Sequence, residues 1–358
     1  MAKLKIGVLF GGRSAEHEIS LISAKNVMNA LDKEKYEVFP IGITKNGEFK
    51  FYTNEAIQNY DSPKTVKLSG EGEEIFFTLH GFYSPKSGQK TELDVTFPVL
   101  HGTYGEDGTM QGLLEIMDLP YVGPGVLGSA VGMDKDVMKK LLRDADISIG
   151  KFITVSKEDE ISFGQASAEL GLPIFIKPAN AGSSVGISKI KNGEEFDKAI
   201  KEAFRFDQKV LLEEAIVGDE IEVSILGNEE PQASLPGKVI PNHDFYSYEA
   251  KYLDENGATF EIPAKLSNEE IAHIQEVAID AYTALNAEGL SRVDGFLTKD
   301  RKFIINEINT IPGFTKISMY PKLWEVSGLL YPQLLDKLID LAINRATKRK
   351  AIMTNYSL

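Results

Sequence analysis

Apolar residues follow two rhythms along this 358-residue chain, and the changes between them mark its elements. Residues 4–10 form a short continuous apolar run, which predicts a buried strand. Beyond Gly11-Gly12-Arg13-Ser14-Ala15-Glu16 the period lengthens, and Ile19, Ile22, Val27 and Leu31 share one side of a helix. A second strand follows at 36–43, and strand–helix–strand opens an α/β layer with parallel strands. Residues 94–100 are a further buried strand, running into His101-Gly102-Thr103-Tyr104-Gly105-Glu106-Asp107-Gly108. The stretch 54–90 has no clear rhythm. Pro and Gly in Leu119-Pro120-Tyr121-Val122-Gly123-Pro124-Gly125 mark a boundary. A middle piece follows: a helix over 134–144, strands at 174–177 and 187–190 around a Gly/Ser loop, a helix over 193–206 and a strand at 210–214. The last third has a strand at 220–226, a weakly regular segment at 236–263, a helix over 268–286, strands at 290–298 and 302–309, and a closing helix over 331–346. A segment as long as 236–263 in a compact protein is characteristically a lid, a binding loop or disordered. The expected fold class is α/β, with α+β parts.

The two strands at 290–298 and 302–309 carry the most telling chemistry. A tight hairpin centred between Asp300 and Arg301 sets Asp294 opposite Glu307 and Arg292 opposite Asn309. Alternation then projects all four side chains from one face. Carboxylates directly across a ladder repel, so the pattern calls for a cation between them. Asp, Glu and Asn oxygens are hard ligands suited to Mg²⁺, which commonly shares its shell with phosphates. Arg292 beside them can grip a planar anion bidentately. The set reads as a nucleotide–magnesium site. Gly313, just beyond, lets a backbone N–H approach a ligand closely.

Other candidates are weaker one by one. Small residues in Gly182-Ser183-Ser184-Val185-Gly186 allow successive N–H groups to form an anion nest, although the same loop suits a plain turn, and no Walker A lysine follows. Lys177 and Lys135 are placed to reach phosphates or to lie on the surface. Residues 210–220 can offer backbone groups to an adenine edge, with Glu220 for ribose hydroxyls, or simply connect two pieces. The Gly11-Gly12 turn lacks G-x-G-x-x-G spacing, which disfavours a dinucleotide. Ser14 there is a helix cap or part of a small-carboxylate site, and Glu16 suits an ammonium group. His101 and Glu106 end a parallel strand, where open α/β sheets bind ligands. In the long segment, which includes Tyr246, Tyr248 and Glu249, Lys251 would cover a phosphate and Tyr252 would close a pocket.

Charge and composition narrow the field. A net charge of −14 disfavours broad nucleic-acid binding. Lys348-Arg349-Lys350 reads as a solvated helix end. With no cysteine, thiolate and disulfide chemistry are excluded, which fits a reducing cytoplasm. The first apolar run stops at Gly11-Gly12-Arg13, too soon for a secretory signal, and no stretch approaches the ~20 apolar residues of a membrane span.

Taken together, the motifs resemble the D-alanine–D-alanine ligases of the ATP-grasp superfamily, nearly end to end. The resemblance rests on residues 9–20, His101-Gly102-Thr103-Tyr104-Gly105-Glu106-Asp107-Gly108, Lys177-Pro178 with Gly182-Ser183-Ser184-Val185-Gly186, Tyr248-Glu249-Ala250-Lys251-Tyr252, Arg292-Val293-Asp294, and Glu307-Ile308-Asn309-Thr310 with Pro312-Gly313. It implies a three-domain architecture: an N-terminal α/β substrate domain (1–124), a central ATP-grasp domain (125–216) and a C-terminal catalytic domain (217–358) with the lid at 236–263. It further implies ATP and two Mg²⁺, with Mn²⁺ as a substitute, held by Asp294, Glu307 and Asn309. Lys135, Lys177, Ser184, Glu213, Glu214, Ile216, Glu220, Lys251 and Asn306 would bind ATP. Arg292 and the Gly313 amide would stabilise an oxyanion. Glu16 would hold the ammonium of the first D-alanine, with His101 on the substrate side, and Ser318 the carboxylate of the second. Glu16, Ser183 and Tyr252 would lock the lid. The resemblance implies D-Ala-D-Ala for peptidoglycan synthesis, a homodimer and no nucleic-acid or membrane partner. The alternative is D-lactate or D-serine as second substrate, which Tyr252 disfavours in the case of D-lactate. A regulatory protein without catalysis and a dehydrogenase are more distant readings. Ile317 stands where some members have His, and Ala181 where some have an acidic residue.

Overall fold

The opening apolar run becomes an interior strand of a five-stranded sheet, covered on both faces. In the computed structural model, which describes residues 2–60, 62–68, 70–182, 185–242, 257–315 and 317–353, this sheet comprises β1 (Leu4–Gly11), β2 (Tyr36–Ile43), β3 (Phe49–Phe51), β4 (Glu73–Glu74) and β8 (Val95–Val99), ordered β4-β3-β2-β1-β8. β1 runs parallel to β2 and to β8, as strand–helix–strand predicts. Ile6, Val8 and Phe10 share a core with Leu21, Ala24 and Val27 of α1 (His17–Ala30). Leu9 points the other way, toward Met110 and Leu114 of α2 (Thr109–Ile116). A strand buried on both sides has no polar face to alternate with.

Two details of α1 depart from expectation. Ile22 is only half-buried, because the small side chains of Ser20, Ser23 and Ala24 are the ones that lie against the sheet. Ser14 does not cap the helix. Glu16 holds the cap position, and the Ser14 hydroxyl accepts the Glu16 N–H at 3.0 Å. The unpatterned stretch 54–90 includes β5 (Phe76–Thr78), β6 (Gly81–Ser84) and β7 (Gln89–Glu92), a small antiparallel sheet.

The second sheet is antiparallel, ordered β11 (Ser188–Ile190), β10 (Ile174–Pro178), β12 (Lys209–Glu214) and β9 (Phe152–Ser156). Alternation sends Ile174, Ile176, Val210 and Leu212 into a core with α5 (Phe163–Leu170) and α6 (Gly193–Ala203). Lys177 and Glu213 lie on the opposite face, at odd positions of the same two strands. α3 (Val126–Met133), β9 and α5, which the apolar pattern did not reveal, precede β10. Asp134 accepts the N–H groups of Asp136 and Val137 and so starts α4 (Lys135–Asp144).

The third sheet is ordered β16 (Ala258–Glu261), β15 (Gly237–Pro241), β13 (Gly218–Gly227), β17 (Gly289–Thr298) and β18 (Phe303–Asn309), with β14 (Gln232–Ala233) also on β13. The segment 236–263 is thus more regular at its ends than expected: β15 and β16 pair across it. Ile221, Val223 and Ile225 of β13, and Val293 and Leu297 of β17, join α4 and α7 (Asn268–Ala284) in one core. The other face is left to Glu222, Arg292 and Asp294.

α8 (Met319–Val326) was not anticipated and buries Tyr320, Leu323 and Trp324. α9 (Tyr331–Lys350) packs Leu334, Leu338 and Ile339 on the first sheet, so the end of the chain closes over its beginning. Its basic last turn reaches Glu229, Glu115 and Asp118 through Lys348, Arg349 and Lys350. Among the described residues no helix is long and apolar enough to cross a membrane.

Candidate active site

The β17–β18 register at the site is the expected one: Arg292 faces Asn309 and Asp294 faces Glu307. It is reached by two departures that cancel. The turn is centred on Asp300, where the Thr298 amide reaches Lys302 O at 2.9 Å and Arg301 takes a φ of 65°. That shifts the pairing by one residue. A bulge then restores it, since Gly295 pairs with Ile305 while Asp294 pairs with Glu307, leaving Asn306 as the extra residue. The Asn306 Oδ1 lies 3.4 Å from Lys177 Nζ.

Arg292 donates from Nε to Asp294 Oδ1 and from Nη2 to Asp294 Oδ2, both at 2.7 Å. Asn309 Nδ2 donates to Asp294 Oδ2 at 2.8 Å. Glu222, directly across from Asp294 on β13, places Oε2 3.0 Å from Arg292 Nε. Burial opposes the Arg292 charge, but Asp294, Glu222 and Glu307 outweigh it and hold its pKa well above the ordinary value. The expected cation between Asp294 and Glu307 is therefore not needed by the protein alone. Arg292 neutralises one, and Lys135 Nζ stands 3.7 Å from Glu307 Oε2. As these side chains stand, no group of three or more acidic or His residues is set to hold a metal among the described residues.

Facing this hairpin is a basic cluster. Lys177 Nζ lies 2.7 Å from Glu213 Oε2, and Lys139 Nζ 3.5 Å from Glu213 Oε1. Lys135 Nζ donates to Ala181 O at 2.8 Å. Burial pushes the Glu213 pKa up, but Lys177, Lys139 and Lys135 pull it below the usual range. Burial lowers the Lys139 pKa, opposed by Glu213. Sequence reading missed Lys139 and Glu222. Both carried a signal: Lys139 lies one helical turn from Lys135, and Glu222 lies two strand positions from Glu220. Glu214 Oε1 accepts the Lys151 N–H at 2.7 Å. Ile216 lies against Gly150, where an added Cβ would come within 2.9 Å of its side chain. Glu220 sits in the interior strand β13, paired with Val239 on one side and Phe296 on the other.

A cavity of about 410 Å³ is lined by Glu16, Gly102, Thr103, Asn180, Ala181 and Gly182, among others. Gly102 has a φ of +75°, and a Cβ there would meet Glu16 Oε2 at 2.9 Å, so glycine is required on both grounds. His101 is buried, with Nδ1 3.1 Å from Ile311 O and 3.6 Å from Glu106 Oε1, and Nε2 3.3 Å from Ser23 Oγ. Burial works against its charge, yet the bond and charge of Glu106, then the charge of Glu16, raise its pKa. Glu106 is raised in turn, by burial first, against the pull of His101. Thr310 Oγ1 donates to Glu106 O at 3.2 Å, tying this loop to the end of β18. Gly313 packs so closely that a Cβ would lie 2.7 Å from Ser318 Oγ. That hydroxyl, at the N-cap of α8, makes no capping bond and accepts the Thr315 N–H at 2.9 Å. Ser183, Ser184, Tyr246, Tyr248, Glu249, Lys251 and Tyr252 lie outside the described residues.

Known proteins match this chain along its length. The family model described as D-ala D-ala ligase N-terminus matches residues 5–124, and that described as D-ala D-ala ligase C-terminus matches residues 141–340. A D-alanine–D-alanine ligase of Oceanobacillus iheyensis is 51% identical, covering 99% of both chains. One of Proteus mirabilis is 48% identical, covering 100% of both. Among solved structures, the D-alanine-D-alanine ligase from Coxiella burnetii superposes with a TM-score of 0.85 at 41% identity, over 97% of each chain. A D-Ala:D-Ser ligase from Enterococcus faecalis does so with a TM-score of 0.84 at 39% identity, over 95% of this chain and 100% of that one. The motifs first read from the sequence are thus set within a match that runs the length of the chain, and the chain belongs to the D-alanine–D-alanine ligase family.

Proposed function

We propose that the chain joins two D-alanines at the expense of ATP. A carboxylate oxygen of the first D-alanine attacks the γ-phosphorus, the bond to the β–γ bridging oxygen breaks, and ADP leaves. The amine of the second D-alanine attacks the acyl phosphate carbon and sheds a proton. The carbon–oxygen bond to phosphate then breaks, giving D-Ala-D-Ala. One observation carries this reading: Lys135 and Lys177 of the basic cluster reach Glu307 and Asn306 of the acidic hairpin. Phosphate ligands and metal ligands thereby meet within one ion-pair distance.

In this reading Lys135 and Lys177 hold the ATP phosphates, with Ser184, Lys251 and Asn306, while Glu213, Glu214 and Ile216 bound the adenine and Glu220 the ribose. Glu16 holds the first ammonium group, with His101 on that side. Ser318, at the start of α8, meets the second carboxylate where the helix dipole favours negative charge. Arg292 and the Gly313 amide stabilise the oxyanion. Ser183 and Tyr252 join Glu16 to shut the lid against water. Asp294, Glu307 and Asn309 supply hard oxygens on one face, a donor set that fits two Mg²⁺ or Mn²⁺. When bound, these ions neutralise charge on the transferring phosphoryl group. The pieces 1–124, 125–216 and 217–358 act as the substrate, ATP and catalytic domains. We place the enzyme in the cytoplasm, where ATP is available, as a homodimer serving peptidoglycan synthesis.

The test is phosphate release from ATP and Mg²⁺ with D-alanine, L-alanine, or D-alanine against equimolar D-serine or D-lactate, with products weighed by mass spectrometry. Release with D-alanine alone, yielding the dipeptide, is expected. A larger yield of D-Ala-D-Ser or of depsipeptide overturns the acceptor, and no release with D-alanine overturns the substrate.

A further inference from the structure

Asp294 is a metal ligand in the proposed reading, yet its oxygens are already engaged. Both receive hydrogens from Arg292, and Oδ2 also receives one from Asn309. A divalent cation competes directly with the guanidinium for this carboxylate. If Arg292 simply lost Asp294, a buried cation would be left with its main partner gone, a costly state. Glu222 changes that outcome. Arg292 Nε carries one hydrogen, and in the protein alone it goes to Asp294. Glu222 Oε2, 3.0 Å from the same nitrogen on the neighbouring strand, meets it as a charge. Glu222 is itself 7% exposed and is held in place by its strand rather than by a flexible loop. Turning the guanidinium would move that hydrogen from one carboxylate to the other, since both oxygens lie within 3.0 Å of Nε.

We propose that Glu222 is the second seat of Arg292: when a divalent cation takes the Asp294 carboxylate, Arg292 turns its Nε–H to Glu222 and stays in the site. Glu222 is a positioning residue, acting through Arg292. The inference rests on the proposed metal role of Asp294. It explains why the even-numbered face of β13 keeps an acid beside two others, an arrangement that would otherwise only add repulsion. The charge of Arg292 balances Glu222 in one state and Asp294 more strongly in the other.

The test measures Mn²⁺ binding by the loss of free-ion electron paramagnetic resonance, with a non-hydrolysable ATP analogue and no D-alanine, in the full chain. Glu222→Gln should weaken Mn²⁺ by at least about tenfold, because Arg292 then loses the carboxylate, 3.0 Å from its Nε, that would replace Asp294. Glu222→Asp, charged but shorter, should recover part of the loss. A through-space charge effect of Glu222 would also weaken Mn²⁺, so the deciding arm is a double-variant cycle. In an Arg292→Met background, Glu222→Gln should change Mn²⁺ affinity by less than about twofold, since no guanidinium remains to compete. A loss of the same size in both backgrounds overturns the exchange, as does equal binding by wild type and Glu222→Gln. If the wild type takes up no Mn²⁺, the metal reading of Asp294 falls and this inference with it. Should Glu222→Gln not fold, the Glu222→Asp arm in both backgrounds decides by the same criterion.

Discussion

The two charged faces that meet at the site are built as opposites. On the third sheet three carboxylates, Glu222, Asp294 and Glu307, surround a single Arg292. On the second sheet and α4 three lysines, Lys135, Lys139 and Lys177, surround a single Glu213. Each cluster carries one residue of the contrary sign, and that residue keeps the rest from repelling one another. The difference lies in what each is short of. The acidic face has an excess of negative charge and the basic face an excess of positive charge. In the proposed reading a magnesium nucleotide answers both, its cation to the first and its phosphates to the second, and the contacts Lys135–Glu307 and Lys177–Asn306 join the two halves in the protein alone.

Disarming the acidic half should have the largest effect. Glu307→Gln should retain ATP on the basic half while phosphate release falls at least about a hundredfold. Loss of ATP binding with it, measured by calorimetry, would deny that the halves are separable. Next comes the lone acid of the basic half. Glu213→Gln leaves Lys139 and Lys177 without their buried counter-charge and should destabilise the fold by about 3 kcal/mol at neutral pH. The folded pKa of Glu213 is lowered, so its stabilisation is full above the ordinary value near 4.5 and is lost as pH falls through the folded value. The Tm gap between wild type and variant should therefore hold from pH 7 to 5 and narrow only below pH 4.5. A gap that closes by pH 5 contradicts the sign. A smaller effect is expected on the basic half: Lys177→Met should raise the KM for ATP about tenfold, by loss of a charge-assisted contact, with the KM for D-alanine nearly unchanged. The smallest effect is outside both halves. Lys348→Ala, removing the exposed pair with Glu229, should leave kcat unchanged and move Tm by less than about 1 °C.

How much of this was legible depended on whether one element or several had to be known. The hairpin was legible because strand alternation and one turn settle which side chains share a face. Even there the agreement hid a three-residue turn and a bulge at Asn306 that offset each other. The bulge is what accompanies Asn306 turning toward Lys177, and no periodicity announces it. Glu222 escaped because its role depends on β13 lying beside β17, a pairing between strands some 70 residues apart in the chain. Lys139 escaped because a lysine in a helix reads as solvated until a sheet is laid over it. Ser318 entered the reading only by resemblance, since no spacing or alternation in the sequence singles it out. The apolar face of α1 was misplaced by Ile22 because the buried side includes Ser20, Ser23 and Ala24, small residues that carry little hydrophobic signal.

In the proposed reaction the two halves pass a phosphoryl group to a D-alanine carboxylate. The direct test uses D-alanine labelled with ¹⁸O in both carboxylate oxygens, supplied with unlabelled ATP and Mg²⁺. Phosphate released with the dipeptide should carry one ¹⁸O, because the carboxylate oxygen that attacked phosphorus departs with it. Unlabelled phosphate accompanying dipeptide formation would contradict the account.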